Sequence, residues 1–243
     1  MGVDAIELLR ARPERTAIVL DVDGTLAPVV ERPGDASVPA ETRAVLERLA
    51  RRYRLLAFVS GRREEEARRI VGVENARYAG VHGLELEPEA ERWRARLGAL
   101  TRVAAWPAGE TEDKGVSVSF HYRRAEDEDA ARAALSEIAE AAACSGLVAR
   151  FGRKVLEIRP PVDADKGTAI SRLVAEAGVT QALYAGDDTT DLDAFRGLGE
   201  AGLELAVRVA VASDEGPREL REQADIVLAS PEELAELLFA LSS

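Results

Sequence analysis

Two carboxylates spaced two apart, Asp21 and Asp23, stand directly after the apolar run 17–20 and before Gly24 and Thr25. An apolar, β-prone run closed by carboxylates and a glycine reads as a buried strand whose carboxyl end opens into a tight turn. Open α/β sheets hold their ligands at that position. On an extended chain residues two apart share a face, so Asp21 and Asp23 are expected to address one small site. Gly24 supplies backbone freedom for the turn and Thr25 a hydroxyl. An ordinary Asp-Gly turn after a strand is the plainer alternative.

Three further polar groups sit at comparable places. Ser60, Gly61 and Arg62 end the apolar run 55–59, Lys166 and Gly167 open a helical stretch, and Asp187, Asp188 and Asp191 follow the run 182–185. In a parallel sheet all strand carboxyl ends lie on one edge, so these four segments are expected to converge. Asp21, Asp23, Asp187, Asp188 and Asp191 would then crowd a partly dry cleft. They cannot all stay ionised there without a cation among them. Ligands that are all oxygen select a hard divalent ion, and Mg²⁺ is the expected cofactor because it accepts a few carboxylates and tolerates a bound phosphate.

The elements that must hold these groups follow from periodicity. Short β-like runs alternate with helical patterns, which predicts an α/β fold with a parallel sheet flanked by helices. Val45, Leu46, Leu49 and Tyr53 mark one helix face after Pro39, and runs at 205–212 and 226–228 read as the last strands. Ser230, Pro231 and Glu233 predict a capped start for a terminal helix. The middle breaks this rhythm. Alternation at Val116, Val118 and Phe120, an Ala-rich helix over 125–143 and strand-like runs at 147–151 and 154–158 form an α+β unit of ββαββ type. We expect it as an inserted domain at 107–161, with the core at 1–106 and 162–243.

A formal net charge of −12 over 243 residues disfavours nucleic acid and anionic membranes as partners, since both are bound by clustered cations. The lone Cys144 allows no disulfide within the chain, and the first residues show neither a secretory signal nor a membrane span, so the cytoplasm is the expected location. Nearly all cations are Arg, and Lys appears only at 114, 154 and 166. Lysines kept in such a chain are candidates for a task that needs a compact ammonium rather than a planar guanidinium.

The ordered set of Asp21 Val22 Asp23 Gly24 Thr25, Ser60 Gly61 Arg62, Lys166 Gly167 and Gly186 Asp187 Asp188 Thr189 Thr190 Asp191 resembles the haloacid dehalogenase superfamily of aspartyl-phosphate enzymes. That resemblance implies a Rossmann-like core with a cap domain. Asp21 would be the nucleophile, Asp23 the general acid and base, Ser60 a phosphoryl hydrogen-bond donor and Lys166 a charge-offsetting group. Mg²⁺ would be held by Asp21, Asp23 and Asp187 with Asp188 and Asp191 in support. Dehalogenases resemble the pattern but lack the second Asp, because a departing halide needs no proton.

Within the middle unit, Glu112 Asp113 Lys114 Gly115 Val116 Ser117, His121 Tyr122 Arg123 and Gly152 Arg153 Lys154 Val155 Leu156 Glu157 resemble the cap motifs of trehalose-6-phosphate phosphatases, as does Thr25 Leu26 Ala27 Pro28 in the core. This implies a sugar phosphate, trehalose 6-phosphate, as substrate, and a functional pairing with a trehalose-6-phosphate synthase. Glu112, Lys114, Arg123, Lys154 and Glu157, with Gly61 and Arg62 of the core, would be the substrate-binding residues. Side chains that donate and accept suit sugar hydroxyls. Sucrose-phosphate and mannosyl-3-phosphoglycerate phosphatases are the alternatives of the same class, and a noncatalytic phosphosugar-binding protein the alternative of another. His82 and His121 remain open between structural and substrate roles.

Overall fold

The computed structural model describes residues 2–28, 30, 32–103, 106, 110–152, 154–212 and 216–243. Helix α1 (Gly2–Ala11) leads to strand β1 (Thr16–Leu20), followed by α2 (Ala40–Arg52), β2 (Leu55–Val59), α3 (Glu64–Val71) and β3 (Arg77–Ala79). A middle section follows, with α4 (Pro88–Glu91), α5 (Arg94–Val103), β4 (Glu110–Asp113), β5 (Val118–His121), α6 (Glu128–Cys144), β6 (Val148–Gly152) and β7 (Val155–Arg159). The chain then runs through α7 (Lys166–Ala177), β8 (Gln181–Gly186), α8 (Asp191–Glu200), β9 (Leu205–Val211), α9 (Arg218–Gln223), β10 (Ile226–Leu228) and α10 (Pro231–Ser242).

Among the described residues the strands form two sheets, one of six strands in the order β10-β9-β8-β1-β2-β3 and one of four in the order β4-β5-β7-β6. Every pairing in the first is parallel. β1 lies at its centre between β8 and β2 and is buried along its whole length, as a strand covered on both faces must be. The α2 face of Val45, Leu46 and Leu49 and the α10 face of Leu234, Leu238 and Leu241 join the same core as Ile18, Leu20, Leu56 and Phe58. Burying such a side chain contributes roughly 1.5–3 kcal/mol.

The second sheet is antiparallel throughout. Val118, Phe120, Leu156 and Ile158 alternate onto one face and pack with Leu135, Ile138 and Ala142 of α6. Leu97 and Leu100 of α5, together with Trp106, belong to that same cluster. The chain accordingly divides into one unit of Met1–Gly83 with Ala164–Ser243 and a second of Leu84–Asp163. Residues 84–103 and Trp106, expected with the core, thus belong to the second unit, because the apolar stripe of α5 finds its partners there. The expected boundary at residue 107 lies outside the described residues. The first strand of the unit is β4, not a run through Val116, which falls in the turn between β4 and β5.

Caps explain two helix starts. Ser230 accepts from the Glu233 N–H at the start of α10, but Glu233 reaches the Ala229 N–H rather than closing a reciprocal box. A full capping box occurs instead at Asp165 and Thr168, where each side chain bonds the other's backbone. It fixes the first turn of α7 and hence the place of Lys166.

Candidate active site

The ladder between β1 and β8 continues one residue past β1, with the Asp21 N–H donating to the Ala185 carbonyl at 2.9 Å. That bond sets Asp21 beside the end of β8, where Asp187 begins the next loop. The chain then leaves the extended form: Leu26 and Ala27 both donate to the Val22 carbonyl, and Gly24 donates to Ala27. Strand alternation therefore stops before Asp23. The Asp23 carboxylate meets Arg62, with Nε on Oδ2 and Nη2 on Oδ1, both at 2.6 Å.

One carboxylate oxygen from each of Asp21, Asp187 and Asp191 lies within 4.8 Å of the others. Lys166 Nζ donates to Asp21 Oδ1 and to Asp191 Oδ1, each at 2.7 Å, and all three side chains are buried. Thr25 Oγ1 donates to Asp187 Oδ1 at 2.9 Å, with Asp21 Oδ2 at 3.3 Å. Asp191 is wholly committed to holding the others. Its Oδ1 accepts from Lys166 and from Tyr184 Oη, at 2.6 Å, and its Oδ2 accepts from the Asp187 and Asp188 N–H groups at 2.8 Å. The Asp188 carboxylate accepts from the Thr189 N–H in the turn and is not in the cluster. Ser60 is buried at the end of β2, where its Oγ accepts from the Arg62 N–H at 3.2 Å.

One ammonium faces three carboxylates, and the electrostatics reflect it. Burial pushes the Asp21 carboxyl up, Lys166 opposes this, and Asp191 and Asp187 add to it, with the result at about 8. Burial and the Asp191 charge push Asp187 up to about 6 against the Thr25 hydrogen bond. Burial disfavours the Lys166 ammonium, but Asp21 and Asp191 outweigh it and hold the group above its ordinary range. Burial, then Asp191 and Asp21, push the Tyr184 phenol well upward, so it stays a donor.

These residues suit a hard divalent cation on two observations. The donors are oxygen only with negative charge in excess, and the Asp187 carboxylate is seated against Gly24, at φ +79°, in the space that a side chain there would take. A Cβ at Gly24 would stand 2.1 Å from Asp187 Oδ2.

In the second unit the register aligns Glu112 with Ser119, Ser119 with Glu157 and Glu157 with Arg150 across four strands. Directly paired residues share a face, so these four form one polar row on the side opposite Phe120 and Leu156. Glu112 Oε2 lies 3.1 Å from His121 Nε2 and 3.7 Å from Lys114 Nζ. The His121 hydrogen bond holds the Glu112 carboxyl below its usual range, with Lys114 assisting against partial burial. Arg123 is exposed. Lys154 stands apart, on the turn between β6 and β7, with Nζ on Glu128 Oε1 at 2.5 Å. Arg153 lies outside the described residues. Arg150 and Tyr184 were not expected from sequence. Strand alternation alone could have flagged both, Arg150 through its pairing with Glu157 and Tyr184 through its position two residues before Gly186.

A parallel sheet with an inserted α+β unit, a Lys-bridged carboxylate cluster at the strand ends and a buried serine at the end of β2 define a Rossmann-like core of the haloacid dehalogenase type. The C-terminal domain of C. albicans trehalose-6-phosphate phosphatase has the same fold, with a TM-score of 0.71 at 22% identity, covering 100% of this chain and 97% of that one. The family model described as trehalose-phosphatase matches residues 19–231, and the chain belongs to that family. A trehalose-phosphate phosphatase of Mycobacterium marinum is 32% identical over 99% of this chain and 66% of its own length. A probable trehalose-phosphate phosphatase of Sinorhizobium fredii is 33% identical over 86% of this chain and 83% of its own. The chain thus spans just under two thirds of the length of the mycobacterial relative.

Proposed function

We propose that this protein is a Mg²⁺-dependent phosphatase that hydrolyses trehalose 6-phosphate to trehalose and phosphate through an aspartyl phosphate on Asp21. The observation that carries the chemistry is the placement of Asp21 between Lys166 and the Asp187 carboxylate. Membership of the trehalose-phosphatase family supports the sugar. Asp21, Asp187 and the Asp23 carbonyl are the groups proposed to hold the cation, with Asp188 in the outer shell, while Asp191 orients the loop through its four hydrogen bonds. When bound, Mg²⁺ offsets phosphoryl charge and neutralises the excess carboxylates.

An Asp21 oxygen attacks phosphorus, and the bond to the sugar oxygen breaks as Asp23 gives that oxygen its proton. Water then attacks the phosphorus of the acyl phosphate, its proton passing to Asp23, and the phosphorus–Asp21 bond breaks. Uncatalysed phosphate-monoester hydrolysis is slow enough that enzymes accelerate it by up to ~10²¹-fold, which calls for a nucleophile, an acid and concentrated positive charge together. Lys166, Ser60, Gly61 and Arg62 supply the donors for phosphoryl oxygens. Glu112, Lys114, Arg123, Lys154 and Glu157 of the second unit are the proposed sugar contacts, and the polar row through Glu112 and Glu157 supports two of them.

Among the described residues no helix is long and apolar enough to cross a membrane. The lone Cys144 supports a reducing compartment, and we place the enzyme in the cytoplasm, downstream of a synthase that forms trehalose 6-phosphate. A panel of sugar phosphates with Mg²⁺, read by phosphate release with Asp21→Asn as control, tests the assignment. Preferred turnover of trehalose 6-phosphate supports it, and preference for sucrose phosphate or a mannosyl phosphoglycerate overturns the substrate.

A further inference from the structure

Val81 and His82, between Gly80 and Gly83, both adopt left-handed backbone, with φ of +51° and +54°. For a β-branched residue such as Val81 this conformation is an outlier, and it persists only where the surroundings over-determine it. Two sets of contacts do so here. On one side, the His82 N–H donates to the Ser60 carbonyl and the Val81 N–H to the Arg62 carbonyl, each at 2.8 Å. The His82 ring lies against Gly61 so closely that a Cβ there would stand 2.8 Å from its Cε1 and Nε2. On the other side, Gly83 abuts α7: a Cβ on it would stand 2.6 Å from Ala169 Cβ and 3.1 Å from the Asp165 carbonyl. Asp165 caps the helix whose first residue is Lys166.

The strained loop is therefore wedged between the segment that carries Ser60, Gly61 and Arg62 and the helix that carries Lys166. Because a peptide unit is planar and trans, turning the Ser60 carbonyl toward His82 turns the Gly61 N–H the opposite way. Backbone contacts of the 81–82 pair thereby set the orientation of the donors on the 60–62 segment, and the imidazole fills the space that a side chain at residue 61 would take.

The geometry points to His82 as a positioning residue for phosphoryl transfer: it holds the 60–62 segment in the orientation that binds the phosphoryl oxygens and keeps that segment in register with Lys166. It acts through shape and backbone contacts and carries no proton in the reaction. This role rests on the phosphatase reading above but not on the identity of the sugar.

The test uses the full chain with Mg²⁺, p-nitrophenyl phosphate as a sugar-free substrate and orthovanadate as a phosphate mimic, on His82→Gly, His82→Phe, Gly61→Ala and the double variant Gly61→Ala/His82→Gly. Glycine accepts left-handed backbone without strain, so His82→Gly keeps the fold and its Tm is not lowered. Its kcat falls by about ten- to a hundredfold, the scale of a small misplacement of reacting groups, and orthovanadate inhibition weakens by a similar factor. His82→Phe, which keeps a planar ring over Gly61, retains most of the activity. Gly61→Ala is impaired by the clash with the ring, and removing the ring in the double variant restores part of that loss, so the two substitutions are not additive.

Unchanged kcat and orthovanadate inhibition in His82→Gly overturn the proposal, as does strict additivity in the double variant. A His82→Phe variant as impaired as His82→Gly also overturns it, since the imidazole would then take part directly. A lowered Tm in His82→Gly with full activity per folded molecule assigns the loop to stability alone and likewise overturns it. If the unaltered protein turns over no phosphate ester, the phosphatase reading fails by itself, and calorimetric binding of orthovanadate to the same variants still decides the role of His82.

Discussion

The guanidinium of Arg62 grips both oxygens of Asp23 at 2.6 Å, a fork-to-fork pair that joins the end of β2 to the turn after β1. Both Asp23 oxygens accept from N–H donors of Arg62, so the proposed acid role of Asp23 couples it to the residue proposed to bind the phosphoryl group. A phosphate ester bound as proposed would compete with Asp23 for the Arg62 guanidinium.

Asp23→Asn separates acid catalysis from the rest of the reaction. We expect kcat for trehalose 6-phosphate to fall by about 10²–10⁴-fold, the usual contribution of a positioned acid or base. The loss for p-nitrophenyl phosphate is smaller, because its leaving group departs without a proton. Steady-state kinetics on the two substrates check this, and equal losses count against Asp23 as the acid. Stability changes little, since the Asp23 side chain is 39% exposed and pairs of this kind contribute about 1 kcal/mol or less.

Metal binding and pH are linked through Asp187 and Asp21. Both have folded values raised from 3.8, to about 6 and about 8, so the metal-free folded state holds protons that the unfolded chain releases. The metal-free protein accordingly loses stability as pH rises from about 4 to about 8, because the folded state binds more protons there. Mg²⁺ held as proposed would need these carboxylates deprotonated, so its stabilising effect is expected to grow over the same window. Thermal melts with and without Mg²⁺ at about pH 5 and about pH 8 should show the larger rise in Tm at the higher pH. A rise independent of pH contradicts the assignment of these carboxylates as ligands.

Tyr184→Phe removes one of the four hydrogen bonds that hold Asp191. Leaving the buried Asp191 oxygen one donor short costs about 1–3 kcal/mol. At this chain length that lowers Tm by roughly 2–12 °C. The same substitution loosens Lys166 and lowers kcat with little effect on KM. Calorimetry and kinetics together check this, and an unchanged Tm contradicts the account of Asp191 as the organiser of the cluster.

With Glu112 and Glu157 as the proposed sugar contacts, Glu112→Gln and Glu157→Gln are expected to act on the sugar alone. A hydrogen bond to a charged group is worth about 1.5–3 kcal/mol, so each substitution should lower kcat/KM for trehalose 6-phosphate by roughly ten- to a hundredfold. Turnover of p-nitrophenyl phosphate should hold. Equal effects on both substrates would mean that these residues do not read the sugar.

Much of this site is visible in the chain because its residues lie next to strand ends, where a short motif and the parallel sheet together dictate position. Asp21, Lys166, Asp187 and Asp191 meet on that basis. What escaped is set by contacts between segments distant in sequence. The pairing of Asp23 with Arg62 joins residues 39 apart in the chain. The ion pair of Lys154 with Glu128 depends on where α6 begins relative to the β6–β7 turn. The placement of 84–103 depends on which sheet the stripe of Leu97 and Leu100 covers, and amphipathic periodicity is the same for either.

Acid quenching during turnover of trehalose 6-phosphate with Mg²⁺, followed by peptide mass spectrometry, tests the covalent step most directly. The expected result is a phosphoryl group on Asp21, absent in the Asp21→Asn variant, which also releases no phosphate. A phosphoryl group on another side chain, or sustained phosphate release by Asp21→Asn, would contradict the nucleophilic role of Asp21.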